Sequence, residues 1–94
     1  MKTIWQETVM GINERKVFDA LDDSQYDYRT INGIKKSSGL SIKEIKKIIT
    51  KYKGLIRKSL IKDEKNRTLY TLYERKYTLN EVINVIINSL SKSI

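Results

Sequence analysis

The segment SIKEIKKIITKYKG, from Ser41 to Gly54, separates apolar and basic residues onto opposite sides of a helix. At about 100° per residue, its apolar side chains fall within an arc of about 120°. They are Ile42, Ile45, Ile48, Ile49 and Tyr52. The opposite arc carries Lys43, Lys46, Lys47 and Thr50, with Glu44 and Lys51 at its edge. We therefore expect the protein core to lie against the isoleucine side, with the lysines in solvent.

The residues before this segment predict a second helix, joined to it by a glycine turn. Thr30 is a suitable N-cap for that helix, and Ile31 and Ile34 then face inward. Gly39 suits the left-handed conformation in which many helices end. Ser41 opens the next helix, because the sequence SIKE that it begins has the spacing of a capping box.

Two more helices are predicted nearer the N-terminus. Residues 3–10 form a short helix that ends at Gly11. Asn13 is expected to cap a longer helix over residues 14–22. The side chains that this longer helix should bury are Val17, Phe18 and Leu21.

After the lysine-rich helix, the chain changes to the β-branched and aromatic residues typical of strands. LIRKSLI and RTLYTLY flank KDEKN, which has turn chemistry. This pattern predicts a hairpin with strands near 55–61 and 67–73 and a tip at 62–66. Tyr70 and Leu72 share a face of the second strand and are expected to face the core.

Composition limits the class of protein. A chain of 94 residues predicts one domain, spanning residues 1–94, with a thin core. Without cysteine or histidine, disulfides, thiol chemistry and ordinary zinc sites are excluded, and no metal, cofactor or catalytic residue is expected. We therefore predict that the protein is not an enzyme. No apolar run of about 18 residues and no secretory apolar core is present, which predicts a soluble cytoplasmic protein.

The positive charge is concentrated in the middle of the chain. The net charge is +8. Between Arg29 and Lys76, 15 Lys and Arg residues stand against four Asp and Glu, a net of +11. The rest of the chain has four against seven, a net of −3. A compositional bias alone does not explain this asymmetry, which favours a polyanionic partner, nucleic acid before an anionic membrane.

The order helix, helix, glycine turn, helix and hairpin resembles the winged helix-turn-helix family over about residues 14–76. INGIKKSSGLSIKEIKKIITKYKGLIRKSLIKDEKNRTLYTLYER is similar to the second helix, the recognition helix and the wing of that family. The positions that match its pattern are Ile34, Gly39, Leu40, Ile45, Ile48, Tyr70 and Leu72. The resemblance implies a mostly α, α+β fold with a three-helix core, a hairpin wing and an additional C-terminal helix.

In that family, the third helix of the core enters the major groove of DNA, which is about 12 Å wide. The resemblance therefore implies binding to double-stranded DNA and a role in transcription regulation, with the protein on the nucleoid when bound. The residues predicted to contact DNA are Arg29, Ser41, Lys43, Lys46, Lys47, Thr50, Lys51, Lys65 and Arg67. The helix residues would meet base edges or phosphate, and the others would contact the DNA backbone.

Each group of these residues also has a purely structural interpretation. The lysines of the helix would then form an ordinary solvated face. For Arg29, the alternative is a local ion pair with Asp27. For the hairpin tip, it is pairing with Asp63 and Glu64.

The last segment predicts a helix over residues 78–91 that opens with a second capping box, TLNE. Its apolar residues spread over about 200° of the helix, whereas a helix packed on one side needs about 100°. These residues are Leu79, Val82, Ile83, Val85, Ile86, Ile87 and Leu90. The excess predicts a second covering surface, most simply in a two-fold homodimer. Burial within the monomer, beneath the Trp5 segment, is the alternative.

A docking module of a larger assembly is the alternative function, because winged helices also bind proteins without touching DNA. RNA binding is less favoured, since no sheet carries the exposed aromatic residues that stack on bases. Salt dependence separates the first two functions. If about six phosphates are contacted, log affinity should fall against log salt with a slope near −5.

Overall fold

The computed structural model of the chain describes residues 4–75, 81–83 and 85–87. Helices come first along the chain, and a two-stranded antiparallel hairpin follows them. The elements are α1 (Ile4–Thr8), α2 (Ile12–Leu21), α3 (Ile31–Ser38), α4 (Ile42–Lys51), β1 (Ile56–Lys62) and β2 (Thr68–Leu72). Residues 81–83 and 85–87 are also helical. The predicted α+β class, with its order of helices and hairpin, is confirmed.

One apolar core lies between the four helices and the base of the hairpin. Its buried members are Trp5, Val9, Val17, Phe18, Ala20, Leu21, Ile34, Ile45, Ile48, Ile56 and Leu72. The Trp5 ring stacks on Phe18 with 5.4 Å between centroids, and Phe18 meets Tyr52 edge-on at 5.3 Å. Full burial of a Val, Leu, Ile or Phe side chain stabilises the fold by about 1.5–3 kcal/mol. The inward positions predicted for α2, and Ile34, Ile45 and Ile48 in α3 and α4, are therefore confirmed as buried. Ile42, predicted on the inward side of α4, is exposed.

The turn between α3 and α4 follows the sequence prediction. Thr30 Oγ1 accepts a hydrogen bond from the Gly33 amide at 3.1 Å, and Ser41 Oγ accepts one from the Glu44 amide at 3.2 Å. Gly39 has a φ of 74°, in the left-handed region. Because each cap contributes about 1 kcal/mol, these local bonds set the two helix ends that orient α4.

The start of α2 differs from the prediction. The helix begins at Ile12, two residues before the predicted range of 14–22, and Gly11 takes the N-cap position without a side-chain hydrogen bond. Asn13, the predicted cap, lies in the first turn instead. Its side-chain amide donates to Glu44 Oε1 at 3.1 Å. The side chain that was expected to cap α2 therefore contacts α4 instead.

α1 is shorter than the predicted helix over residues 3–10, whose first residue lies outside the described part of the chain. Val9 leaves the helix and is fully buried. Arg15 Nη1 donates to the carbonyl oxygens of Gln6 at 3.2 Å and Val9 at 2.8 Å. The Arg15 guanidinium also lies 5.2 Å from the centre of the Trp5 ring. These contacts give the carbonyl groups at the end of α1 partners outside the helix.

The hairpin is close to its prediction. Ile56 pairs with Leu72 and Lys58 with Tyr70, and the pairing is irregular between Lys58 and Lys62. Leu72 is buried, and Tyr70 is half-buried against the core. The shared inward face predicted for these two β2 residues is therefore confirmed.

Hydrogen bonds connect the loop between α2 and α3 to α1 and to the segment just after the hairpin. Arg75, just after the hairpin, donates to the carbonyl oxygen of Asp23 at 2.9 Å and to that of Tyr26. From the N-terminal side, Trp5 Nε1 donates to Asp22 Oδ2 at 3.1 Å. Trp5 is therefore a packing residue that also fixes this loop.

The last described helix is attached to β1 by a buried ion pair. Arg57 donates to both carboxylate oxygens of Glu81, at 2.8 and 3.1 Å, and the Glu81 side chain has no exposed area. The same carboxylate accepts from Ser59 Oγ at 3.0 Å and from the Leu60 amide at 2.9 Å. Glu81 is the last residue of the predicted TLNE capping box, whose other residues lie outside the described part of the chain, so the box stays a prediction. The contacts described for the Glu81 carboxylate are with the hairpin.

Candidate nucleic-acid interface

The isoleucine side of α4 determines where its lysines point. Ile45 has no exposed area and Ile48 is 6% exposed, both against the core. Ile49 and Tyr52 are half-buried, whereas Ile42, at the start of the helix, is 38% exposed. The buried stripe is therefore narrower than the predicted arc. The polar residues of the opposite side are all exposed: Lys43, Lys46, Lys47, Thr50 and Lys51.

These exposed residues form one wall of a groove, and the first turn of α2 forms the other. The groove has a volume of about 1230 Å³. It is lined by the predicted contact residues Ser41, Lys43, Lys46, Lys47, Thr50 and Lys51, and by Gly11, Ile12, Asn13, Glu14, Glu44 and Ile48. Sequence reasoning missed the contribution of α2, because only tertiary packing brings its first turn beside α4.

Two hydroxyl groups in the groove already have partners within α4. Ser41 Oγ accepts from the Glu44 amide, so this residue is a cap. Thr50 Oγ1 donates to the Lys46 carbonyl oxygen at 2.9 Å. The Thr50 hydroxyl proton is therefore used within α4, so toward a ligand this hydroxyl can act only as an acceptor.

An acidic side chain lies among these lysines. Glu14, in the first turn of α2, accepts from Lys51 Nζ at 3.0 Å. A hydrogen bond from the Tyr52 hydroxyl, and then the Lys51 ammonium, holds the pKa of Glu14 below its ordinary value. The same contact with Glu14 raises the pKa of Lys51 and that of Tyr52. Lys51 is thus partly neutralised by its own chain.

Arg29 does not belong to this surface. Only 8% of the residue is exposed. Its guanidinium donates to the carbonyl oxygens of Ala20 at 3.3 Å and Gly33 at 2.8 Å, and to Ser37 Oγ at 2.9 Å. Its backbone pairs in both directions with Tyr70 of β2. The predicted phosphate contact is therefore corrected: Arg29 joins α2, α3 and the hairpin inside the molecule.

The hairpin tip is organised by Asp63. Its carboxylate accepts from the amides of Lys65 at 3.1 Å and Arg67 at 2.7 Å, and from Arg67 Nε at 2.6 Å. These bonds, with the Arg67 amide first, hold the pKa of Asp63 below its ordinary value. Lys65 and Arg67 are exposed, but they are not among the residues that line the groove. The alternative pairing with Asp63 is thus observed for Arg67.

The second predicted surface is the apolar last helix. Its described apolar residues are between 43% and 55% exposed: Val82, Ile83, Val85, Ile86 and Ile87. The described part of the monomer therefore does not bury them beneath the Trp5 segment. Leu79 and Leu90, predicted for the same surface, lie outside the described residues.

Within residues 4–75 and the two short helical stretches that follow, no group of three or more possible metal-ligating side chains is brought together, and no helix is long and apolar enough to cross a membrane. Comparison of the chain with protein-family models, curated proteins and solved structures gave no match. The geometry of the chain itself therefore carries the functional interpretation.

Proposed function

We propose that this chain is a winged-helix protein that binds double-stranded DNA as a homodimer and regulates transcription. The observation that carries the proposal is the orientation of α4. Burial of Ile45 and Ile48 turns Lys43, Lys46 and Lys47 outward into one open groove. In the proposed fold, α2, α3 and α4 are the three core helices and the hairpin is the wing.

The dimensions and chemistry of α4 support a role in the major groove. An α-helix with its side chains is about 10–12 Å in diameter, which fits a groove about 12 Å wide, and the 10 residues of α4 would extend about 15 Å along it. Lysine ammonium groups bind phosphate, and they also bind O6 and N7 of guanine. Because lysine lacks the planar fork of arginine, phosphate attraction contributes more here than base discrimination. The methyl group of Thr50 is suited to contact a thymine methyl group.

The last helix supports the homodimer. The sequence from Val82 to Leu90 contains no charged residue, and its described apolar side chains are about half exposed. A second copy presents the same uncharged apolar surface, which a two-fold axis makes self-complementary. Covering it contributes about 25 cal/mol per Å² of apolar area. Two α4 helices would then meet half-sites one helical turn of DNA apart, or a multiple of it.

One observation favours the docking module as a second candidate. Met10 is 74% exposed and Ile12 is 78% exposed, and Ile12 lines the same groove as the lysines. A protein partner with an apolar, acidic surface would match this combination. If the chain binds such a partner instead of DNA, its affinity for duplex DNA should be weak and should change little with salt concentration.

The test is a duplex-binding titration at several salt concentrations, with the oligomer mass measured alongside. DNA binding with about six phosphate contacts gives a slope near −5 in log affinity against log salt. The variant Lys43→Glu with Lys47→Glu should abolish binding, because it places two carboxylates where phosphate must approach. Circular dichroism should show an unchanged fold, since both side chains are exposed.

The matched control is Lys35→Glu with Lys36→Glu. These two lysines of α3 are also exposed, but they do not line the groove. This variant makes the same change in net charge and should keep most of the affinity. Wild-type affinity in the Lys43/Lys47 variant would show that the groove is not the binding surface. If the wild-type chain did not bind duplex DNA at 50 mM salt, the docking module would be favoured.

A further inference from the structure

Glu14 is one of two carboxylates in a groove whose other charged lining residues are lysines. It lines the groove beside Lys51, at 3.0 Å from Nζ, and its side chain is only 19% exposed. A phosphate entering the groove near Lys51 therefore meets a negative charge as well as a positive one. Because the net charge of the chain is +8, this acidic residue needs a physical reason to lie there.

The position of the carboxylate is determined from several sides. The Lys51 ammonium binds its Oε1 oxygen at 3.0 Å, and Lys51 Nζ lies 5.4 Å from the centre of the Tyr52 ring. The Tyr52 ring in turn packs edge-on against buried Phe18 at 5.3 Å. A Cβ atom at Gly11 would stand 2.9 Å from Glu14 Oε1, so glycine leaves the room in which the carboxylate folds back over the start of α2. The positive end of the helix dipole also favours a carboxylate there.

We propose that Glu14 sets the affinity of the DNA interface by keeping Lys51 from binding phosphate. This inference rests on the proposed DNA binding and assigns one residue a limiting role in it. An ammonium already paired with a carboxylate releases little counterion charge when phosphate approaches, so Lys51 adds little to the salt-dependent affinity. Lys47, in the same groove, contributes a full phosphate contact.

Glu44 provides a natural contrast within the groove. Its Oε1 accepts from the neutral amide of Asn13, at 3.1 Å, so this contact ties up no lysine. Glu14 and Glu44 thus share the groove but differ in partner. Replacing either carboxylate by its amide changes the charge of the chain equally, while Glu14→Gln alone releases a lysine.

The experiment measures duplex affinity across a salt series for the wild type and for Glu14→Gln, Lys51→Gln and the double variant. Glu14→Gln should bind more tightly and steepen the log–log slope by about 0.9, the effect of one added phosphate contact. Its advantage over the wild type should then shrink about threefold between 50 and 200 mM salt. Lys51→Gln should leave the wild-type slope nearly unchanged, yet remove the whole gain from the Glu14→Gln background.

Two controls separate the contact from simple charge and from folding. Glu44→Gln makes the same charge change within the groove without freeing a lysine, so it should steepen the slope by less than Glu14→Gln does. Lys47→Gln, compared with Lys51→Gln in the otherwise wild-type chain, should lower the slope by about 0.9, and this comparison does not depend on the fold of any Glu14 variant. Thermal melts of all variants check that each is folded at the temperature of the titration.

Three results would overturn the inference. Equal slopes for Glu14→Gln and the wild type would show that Lys51 is not limited by Glu14. Equal effects of Lys47→Gln and Lys51→Gln would show that the pair does not keep Lys51 from phosphate. A wild-type chain that binds no duplex would overturn the proposed function and the role of Glu14 together, whereas the first two results would leave DNA binding intact.

Discussion

Two ion pairs connect distant parts of this chain in opposite surroundings. Arg57 and Glu81 have side chains 4% and 0% exposed, and every contact described for the Glu81 carboxylate lies within the protein. Lys51 is 63% exposed and Glu14 19%. A buried pair is costly to break, because the remaining charge stays without water. A pair whose cation lies largely in solvent contributes less to stability. Burial therefore separates a pair that holds the fold together from one whose main effect is on the charge of the surface.

The largest expected effect comes from breaking the buried pair alone. Glu81→Gln leaves the Arg57 guanidinium without its countercharge and should lower the free energy of unfolding by about 3 kcal/mol. Urea unfolding followed by circular dichroism measures the loss. Glu14→Gln is the matched change in the exposed pair and should cost less than about 1 kcal/mol. Similar losses in the two variants would contradict the distinction between the pairs.

A smaller loss is expected when the buried pair is replaced by apolar residues. Arg57→Met with Glu81→Leu removes both charges, so no unpaired ion remains. The Leu60 amide and the Ser59 hydroxyl still lose the acceptor that Glu81 provided. We expect a net cost of about 1–2 kcal/mol, less than that of Glu81→Gln. If the double variant were less stable than Glu81→Gln in the same urea series, the hydrogen bonds and packing of the pair would contribute more to stability than the balance of its charges does.

The smallest effect is the acid dependence of the exposed pair. The pKa of Glu14 lies below its ordinary value of 4.5 in the folded chain, so its stabilising contribution is fully present above pH 4.5. That contribution is lost as the pH falls through the lowered pKa, because the carboxylate that binds Lys51 becomes protonated. The stability difference between the wild type and Glu14→Gln should therefore narrow from pH 6 to pH 3 in urea unfolding. A difference that stays constant over this range would show that the pair does not stabilise the fold.

Local patterns were sufficient for the features that depend on neighbours in sequence. The caps at Thr30 and Ser41, the left-handed Gly39 and the inward Ile45 each follow from a few adjacent residues. Helix period and capping chemistry act within one or two turns, so the sequence displays them directly. The outward direction of the α4 lysines followed from the same period, and these lysines are exposed as predicted.

The features that sequence reasoning missed depend on partners far along the chain. Glu81 lies 24 residues from Arg57, and Asn13 lies 31 residues from Glu44. Arg29 resembles a surface base in the sequence, but the carbonyl groups that surround it come from separate elements. The hydrophobic period of a helix or strand carries no information about contacts between residues so far apart along the chain. A carboxylate in an apolar helix, as at Glu81, was the one available indication that a buried cation lies nearby.

Arginine and lysine have different roles in this protein: arginine makes most of the basic side-chain contacts within the chain, and lysine provides most of the exposed positive charge. The five arginines donate within the chain: Arg15 and Arg75 to backbone carbonyls, Arg29 to carbonyls and a hydroxyl, Arg57 to Glu81 and Arg67 to Asp63. Every lysine in the described part of the chain is exposed. Acetylation neutralises lysine amines and leaves guanidinium groups unchanged. An amine-acetylating enzyme or reagent would therefore remove the lysine charges of the surface, and the Lys51–Glu14 pair with them, while the arginine bonds that join separate segments persist.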